Sequence, residues 1–412
     1  MSKGYVYVGD HHHSALKPCY WFEEKLNTGV RNCYKSFFGV ESNLCIQATP
    51  SVSYCTHSCV FCWRDIEKLD KGYIFPSIFD DPKLIANDLI KAQVKLIRQK
   101  YNLEKPLNMV DNLKQMLRIF QETGDHKLSF HLITRMTKLS NNKVNSALKY
   151  LINGNLVKKR GDSLFFNTKF IRSLKSGIGL DNYVETNIAS KIKIIQAHKD
   201  ALTPKHAALS LAGEPILYPA IDLLVHEFRK KNMTTFIVSN GTLPKKISLM
   251  DHYPSQLYIT LPASNEKDYK IICRPKIKDG WMKLNTTLKN LNTLSCRTCV
   301  RITGVKNLNL KNPSEYVKLV EESNPNFLEV KGFTLEASSL HIGRRLSIIK
   351  KDDIISNKDL NKIARSYVPS HQEIKNFASK LGYPIVRESE SSRYVLMLVN
   401  WNLNKDLKIA QP

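Results

Sequence analysis

The chain has 412 residues, of which 42% are apolar and 24% charged. This ordinary globular composition excludes wholesale disorder and leaves room for two or three domains, or for one large domain with an insert. Its 62 lysines and arginines outnumber 37 acidic residues, a formal net charge of +25. That excess points to a polyanion, either nucleic acid or an anionic membrane. No apolar run reaches the ~18 residues of a membrane span and the N-terminus lacks a secretory apolar stretch, so no membrane partner and a cytoplasmic location are expected.

Six of the nine cysteines fall between residues 19 and 62. An odd count without an export signal argues against a disulfide framework, and a thiol cluster in a reducing compartment means metal or catalysis. Cys19, Cys33 and Cys45 are widely spaced and read either as small buried hydrophobes or as a metal site. The stretch Asn43 to Ser53 reads as a buried strand leading into Cys55, Cys59 and Cys62, spaced C-x3-C-x2-C. A tetrahedral zinc site needs a fourth ligand, which does not follow at finger-like spacing; His57, inside the loop, would crowd its neighbours. Three thiolates suit a cubane iron–sulfur cluster with one iron left open. An open iron can chelate the amino and carboxylate groups of S-adenosylmethionine (SAM) and pass an electron to its sulfonium. The triplet resembles the signature of the radical-SAM superfamily, with Tyr54, Phe61 and Trp63 as a shield.

Further along, Ile85 to Arg98 reads as an amphipathic helix. Leu113 to Gln121, Phe130 to Thr137 and Asn141 to Asn153 read as three helices, with a turn at residues 138–140 between the last two. Leu156 to Phe166 reads as a hairpin turning at Gly161 and Asp162. Helix, helix, turn, helix and hairpin resemble a winged helix-turn-helix. Lys158, Lys159 and Arg160 on its wing would face phosphates, and Asn141, Asn142, Lys143 and Asn145 open the recognition helix. Packing of this module against protein, or DNA binding, are the other readings.

Five more buried strands follow, at Ala207 to Leu211, Thr234 to Val238, Gln256 to Leu261, Arg297 to Thr303 and Phe327 to Val330. Helices at Ala220 to Lys230, Trp281 to Asn290 and Pro313 to Glu322 alternate with them. Strand–helix alternation predicts an α/β fold with a parallel sheet, and six units fit a partial (β/α)6 barrel. Chemistry would gather at the carboxyl ends of the strands, near Gly213, Glu214, Ser239, Asn240, Arg301, Thr303, Glu329 and Lys331. Gly213 allows close backbone approach, Glu214 can accept from the SAM amino group, and Ser239 and Asn240 are further SAM contacts. Cys273, Cys296 and Cys299 read as buried thiols rather than ligands. The histidines at 11 to 13 fit a loop. Arg344 and Arg345 read as phosphate ligands, and Tyr394 to Trp401 as a last strand closing the fold.

Local words are shared with one family. Residues 8–21, 32–35, 45–50 and 62–64, then 210–215, 239–242, 272–275, 278–281 and 329–332, resemble, in order, the archaeal-type SAM-dependent tRNA 4-demethylwyosine synthases, radical-SAM enzymes of wybutosine synthesis. The resemblance implies condensation of pyruvate with N1-methylguanosine beside the anticodon of tRNA-Phe. It implies that Cys19, Cys33 and Cys45 hold a second 4Fe-4S cluster, and that Lys35 forms a Schiff base with pyruvate, a covalent strategy suited to carbonyl substrates. Eukaryotic relatives carry a flavodoxin-like domain; no flavin-phosphate loop precedes Cys19, so a separate electron donor is expected. This chain departs from the family by roughly 70 extra residues between Arg98 and Ala207, and by an extension after Leu346. The expected organisation is an N-terminal segment (1–46) carrying the second-cluster cysteines and a radical-SAM partial barrel (47–105 and 177–346). An inserted winged-helix-like module (106–176) and a C-terminal extension (347–412) complete it. The rival functions are another radical-SAM RNA-modifying activity, such as methylthiolation, and an iron–sulfur-dependent winged-helix regulator.

Overall fold

The computed structural model describes residues 4–100, 127–153, 157–167, 189–350, 352–401 and 407–409, with scattered positions between 112 and 123. In chain order the strands are β1 (Val6–Val8), β2 (Ser14–Leu16), β3 (Cys45–Thr49), β4 (Lys127–Ser129), β5 (Val157–Arg160), β6 (Ser163–Phe166), β7 (His206–Leu209), β8 (Thr234–Ser239), β9 (Gln256–Thr260), β10 (Arg297–Gly304), β11 (Phe327–Gly332), β12 (Ile385–Ser389) and β13 (Tyr394–Leu398). Among the described residues, no helix is long and apolar enough to cross a membrane.

The chain divides into two compact units. The first comprises residues 1–19, 32–93 and 204–412 and contains a ten-stranded sheet in the order β1-β2-β3-β7-β8-β9-β10-β11-β13-β12. The six strands β3 and β7 to β11 are parallel neighbours. The β1–β2 hairpin adds antiparallel at one end, and β13 and β12 at the other. Each expected strand is present. The first is shorter than expected, Cys45–Thr49, because Pro50 follows and cannot donate to a ladder. Parallel strands need crossovers, supplied here by helices such as Ile221–Lys230, Gly280–Lys289 and Pro313–Ser323. The last begins on a proline at its first turn, where the missing N–H costs nothing.

One face of this sheet carries a graded set of side chains. Tyr258, Cys299, Phe327 and Leu398 lie opposite one another across β9, β10, β11 and β13. With Ala208, Phe236 and Tyr394 they close over Tyr34, Phe38 and Val40. Two residues on, the same face presents Arg301 opposite Glu329, and two further, Thr303 opposite Lys331. The period of two thus builds an apolar floor toward the amino ends and a polar row toward the carboxyl ends.

β1 and β2 extend the sheet on one side, and β12 and β13 on the other. The loop between β1 and β2 is pinned by His13, whose Nδ1 donates to the Pro50 carbonyl at 2.7 Å while its Nε2 accepts from the Asp80 amide at 3.0 Å. The extension after Leu346 includes helices Asn357–Ser366 and His371–Ser379, the latter opened by a capping box between Ser370 and Glu373.

The second unit comprises residues 20–31 and 94–203. Helix Tyr20–Thr28 belongs here, joined to helix Ala189–Ala201 through His198 Nε2, 2.9 Å from the Leu26 carbonyl. Helix Phe130–Thr137 is capped by the Ser129 hydroxyl, and helix Asn141–Asn153 follows after a left-handed Lys138. β4, β6 and β5 form a three-stranded antiparallel sheet, with Gly161 and Asp162 at the β5–β6 turn. The expected helix at Leu113 to Gln121 lies largely outside the described residues.

Candidate functional site

Cys55, Cys59 and Cys62 lie on the loop that follows the carboxyl end of β3. That loop has few internal bonds, so a distant segment holds it. The amides of Ser58 and Val60 donate to the carbonyls of Cys273 and Ile272 at 3.0 and 2.9 Å, and the Lys276 amide donates to Thr56 O at 2.9 Å. The Cys55 amide donates to Gly72 O at 2.9 Å. Arg345 adds a second clamp. Its guanidinium donates to Cys62 O at 2.6 Å, to Ser338 Oγ at 2.6 Å and to Glu67. The Cys55 thiol is pushed up to about 12 by burial. The Cys59 thiol is raised first by its hydrogen bond with Cys273 and then by burial.

Arg64 is 1% exposed, and its Nε and Nη2 are buried without a hydrogen-bond partner among the described residues. Burial disfavours its charge, yet Cys62, Cys55, Asp70 and Cys59 outweigh that and hold it ionised. Three soft sulfur donors around an under-satisfied buried cation fit an anionic iron–sulfur cluster, whose sulfides accept hydrogen bonds. The structure also brings a ring nitrogen of His57 and the sulfurs of Cys59 and Cys273 within 4.8 Å of one another. His57 Nε2 is engaged by the Tyr269 hydroxyl at 2.7 Å, and Cys273 is buried, as expected of it.

Gly213 and Glu214 follow β7, Ser239 ends β8 and Asn240 follows it; Gly213, Glu214 and Asn240 meet residues 51–56, and Ser239 bonds to Glu214. Gly213 has φ +72°, and a Cβ there would collide with the carbonyl oxygens of Ser51 and Tyr54. Gly213→Ala is therefore expected to cost about 3 kcal/mol or more, from left-handed strain plus displacement of backbone. Denaturant unfolding would measure it; an unchanged midpoint would contradict the close packing.

Glu214 is held by three donors. It is 2% exposed. Its Oε1 accepts from the Ser239 hydroxyl at 2.8 Å and the Ile216 amide at 3.1 Å, and its Oε2 from the Asn240 amide at 2.7 Å. Burial raises its pKa against these donors. A carboxylate so engaged braces the β7 and β8 loops, and Oε2, with a single donor, keeps acceptor capacity. Asn240 reaches the thiol loop, its Nδ2 donating to Thr56 Oγ1 at 2.7 Å.

Lys35 sits on the short 3-10 turn Tyr34–Phe38, which Gly39 ends in a left-handed cap. It is 7% exposed, with Nζ 5.0 Å from the Phe236 ring centroid. Its charge acts on the Cys45 thiol, which burial pushes up to about 12 and which also feels Cys19 and Cys33. The three widely spaced thiols and Lys35 are thus electrostatic neighbours. His206 is depressed to about 4 by burial and then by Lys35. On the facing polar row, the Arg301 guanidinium pairs with Glu329 and donates to the Tyr34 hydroxyl at 2.8 Å. Burial lowers Lys331 to about 8, with Arg301 and Lys35 adding to the effect and Glu329 and Cys33 opposing it. Its Nζ lies 5.0 Å from the Tyr34 ring centroid. Glu329 Oε2 and the hydroxyls of Tyr258 and Tyr394 are buried without hydrogen-bond partners among the described residues. Sequence reading placed Arg301, Glu329 and Lys331 at strand ends but missed the tyrosines, which look like ordinary core aromatics until the register is known.

The expected phosphate ligands divide. Lys158, Lys159 and Arg160 are exposed on β5. Arg345 is 7% exposed and committed to the thiol loop, so it is a structural clamp and not a phosphate ligand. Arg344 donates to the carbonyls of Lys350 and Asp353 at 2.8 and 3.0 Å, tying down the extension that follows.

An α/β sheet with a C-x3-C-x2-C loop at the carboxyl end of its first parallel strand defines a radical-SAM enzyme. No family model matches the chain. The SAM-dependent tRNA 4-demethylwyosine synthase of Pyrococcus abyssi is 31% identical over 395 residues, which cover 94% of this chain and 84% of that protein. The one of Methanocaldococcus jannaschii is 29% identical over 389 residues, covering 93% and 90%. The solved structure of TYW1 with a lysine-pyruvate adduct bound has a TM-score of 0.60 at 24% identity, covering 97% of this chain and 95% of that one. The chain belongs to the SAM-dependent tRNA 4-demethylwyosine synthase family.

Proposed function

We propose that this chain condenses pyruvate with N1-methylguanosine beside the anticodon of tRNA-Phe to form 4-demethylwyosine, within a partial (β/α)6 barrel. Cys55, Cys59 and Cys62 would hold a SAM-binding 4Fe-4S cluster, and Cys19, Cys33 and Cys45 a second one. The SAM-bound cluster supplies reductive cleavage of a sulfonium and, from it, hydrogen abstraction from an unactivated methyl group. The loops around Gly213 and Asn240 would frame SAM with backbone and amide groups, braced from behind by Glu214.

The observation that carries this reading is Lys35, buried against Phe236 and electrostatically coupled to Cys45. A lysine in such a place serves poorly as a surface charge and well as a shielded nucleophile. Its amine adds to the pyruvate ketone carbon, and the ketone oxygen leaves as water, giving a Schiff base. Lys331 supplies a cation for the pyruvate carboxylate, and the unsatisfied Tyr258 and Tyr394 hydroxyls supply donors. The +25 charge suits a tRNA substrate. The inserted module, read as a winged helix, would add Lys158, Lys159 and Arg160 as phosphate contacts.

Trapping tests the assignment. Anaerobic protein incubated with pyruvate and cyanoborohydride should yield a reduced pyruvate adduct on the peptide containing Lys35. An adduct on Lys331 instead, or none, would remove the proposed nucleophile.

A further inference from the structure

The small sheet of the second unit has two faces of opposite character. Leu128, Val157, Leu164 and Phe166 are all buried on one. On the other, Phe165 of the central strand is 37% exposed, and its direct cross-strand neighbours are Lys127 on β4 and Lys158 on β5. Arg160 lies in the next row, on the same face. The Lys127 ammonium is 5.7 Å and the Arg160 guanidinium 5.9 Å from the Phe165 ring centroid. An exposed phenylalanine alone needs no explanation. This one is framed by three cations.

The frame belongs to a strongly basic segment. Residues 127 to 167 hold eight lysines and arginines against one acid, Asp162 in the β5–β6 turn. Seven of the eight, Lys127, Arg135, Lys138, Lys143, Lys158, Lys159 and Arg160, are exposed. Charge of that sign and density selects a polyanion. A paired duplex offers phosphates but hides its base faces. Unpaired nucleotides offer both phosphates and an open π-face, the combination that aromatic-plus-basic surfaces bind.

We infer that the outer face of the β4–β6–β5 sheet is a stacking platform for an unpaired nucleotide of the RNA substrate. Phe165 supplies the surface under the base, and Lys127, Lys158 and Arg160 contact the flanking phosphates. This deepens the proposed function and rests on its premise that the chain acts on tRNA.

The test uses the full-length protein, a tRNA-Phe transcript, a short unstructured RNA oligonucleotide and a fully paired RNA hairpin, with binding read by fluorescence anisotropy. Phe165→Ala should weaken tRNA and oligonucleotide binding roughly ten-fold, without changing the salt slope, the melting temperature or SAM cleavage. Phe165→Trp should restore affinity. The Lys127→Gln, Lys158→Gln double variant should flatten the slope of log affinity against log salt by about 1.4 on the oligonucleotide, as expected for two lost phosphate contacts. Wild-type affinity in Phe165→Ala, or equal weakening on the paired hairpin, overturns the platform. So does loss in the same variants of binding to anionic phospholipid vesicles at the expense of RNA. A wild-type protein that bound no tRNA would instead overturn the premise, so the two failures are distinguishable.

Discussion

Cys59→Ala should abolish SAM cleavage in protein reconstituted anaerobically with iron, sulfide and dithionite. The change removes the middle donor of the C-x3-C-x2-C loop and little else. The bonds that hold the loop, Ser58 and Val60 to the 272–273 segment and Cys62 to Cys59 O, are all main-chain and survive it. Arg345 also grips the loop through carbonyls rather than through a thiol. The variant should therefore melt near wild type while its iron and sulfide content falls and methionine release drops to background. Cys273→Ala is the matched control, because its sulfur is within 4.8 Å of the Cys59 sulfur yet is read as a spectator. It should keep cleavage. Persistent cleavage in Cys59→Ala, or loss of cleavage in Cys273→Ala, would reassign the donors.

Lys35→Ala should separate the two halves of the chemistry. SAM cleavage continues, since the thiol loop is held by residues 272–276 and 345 and not by the Tyr34–Phe38 turn. The tricyclic base on methylguanosine-bearing tRNA falls to background, because no covalent handle remains for pyruvate. Lys35→Arg should not rescue it, since a guanidinium keeps its charge and does not form a Schiff base. Product at wild-type yield in Lys35→Ala would remove the covalent role and leave pyruvate held only by non-covalent contacts.

Much of the first unit was legible because buried parallel strands are continuous apolar runs, bounded by polar or glycine residues, and helices between them carry their own periodicity. β7 to β11 and the helices at 221–230, 280–289 and 313–323 fall within a residue or two of expectation. β1 and β2 escaped because three residues carry no measurable period, and β12 because Ile385–Ser389 is partly exposed without clean alternation. At the site, the spacing of Cys55, Cys59 and Cys62 is local and could be read directly. The grip on that loop could not, since Ile272, Cys273 and Arg345 are more than two hundred residues away. Glu214 shows a different limit. Composition marks a carboxylate beside a glycine as an acceptor, and only the positions of Ser239, Ile216 and Asn240 reveal that it also braces two loops. Arg345 fails for the same reason: a basic residue in a basic chain looks solvent-facing until its partners are known.

β3 and β7 are partners in the sheet, yet helix 82–100 and the larger part of the second unit, up to residue 203, lie between them in the chain. β7 to β11 follow one another through short crossovers and can zip in order, whereas the β3–β7 pairing must close a very long loop, at an entropic cost that grows with the logarithm of its length. Docking of the N-terminal third is therefore expected to be a late event in assembly. Because that third carries all six clustered cysteines, a nascent chain would reach a nearly complete scaffold while its thiols are still unsequestered. Metal delivery and the last step of folding would then compete on the same timescale.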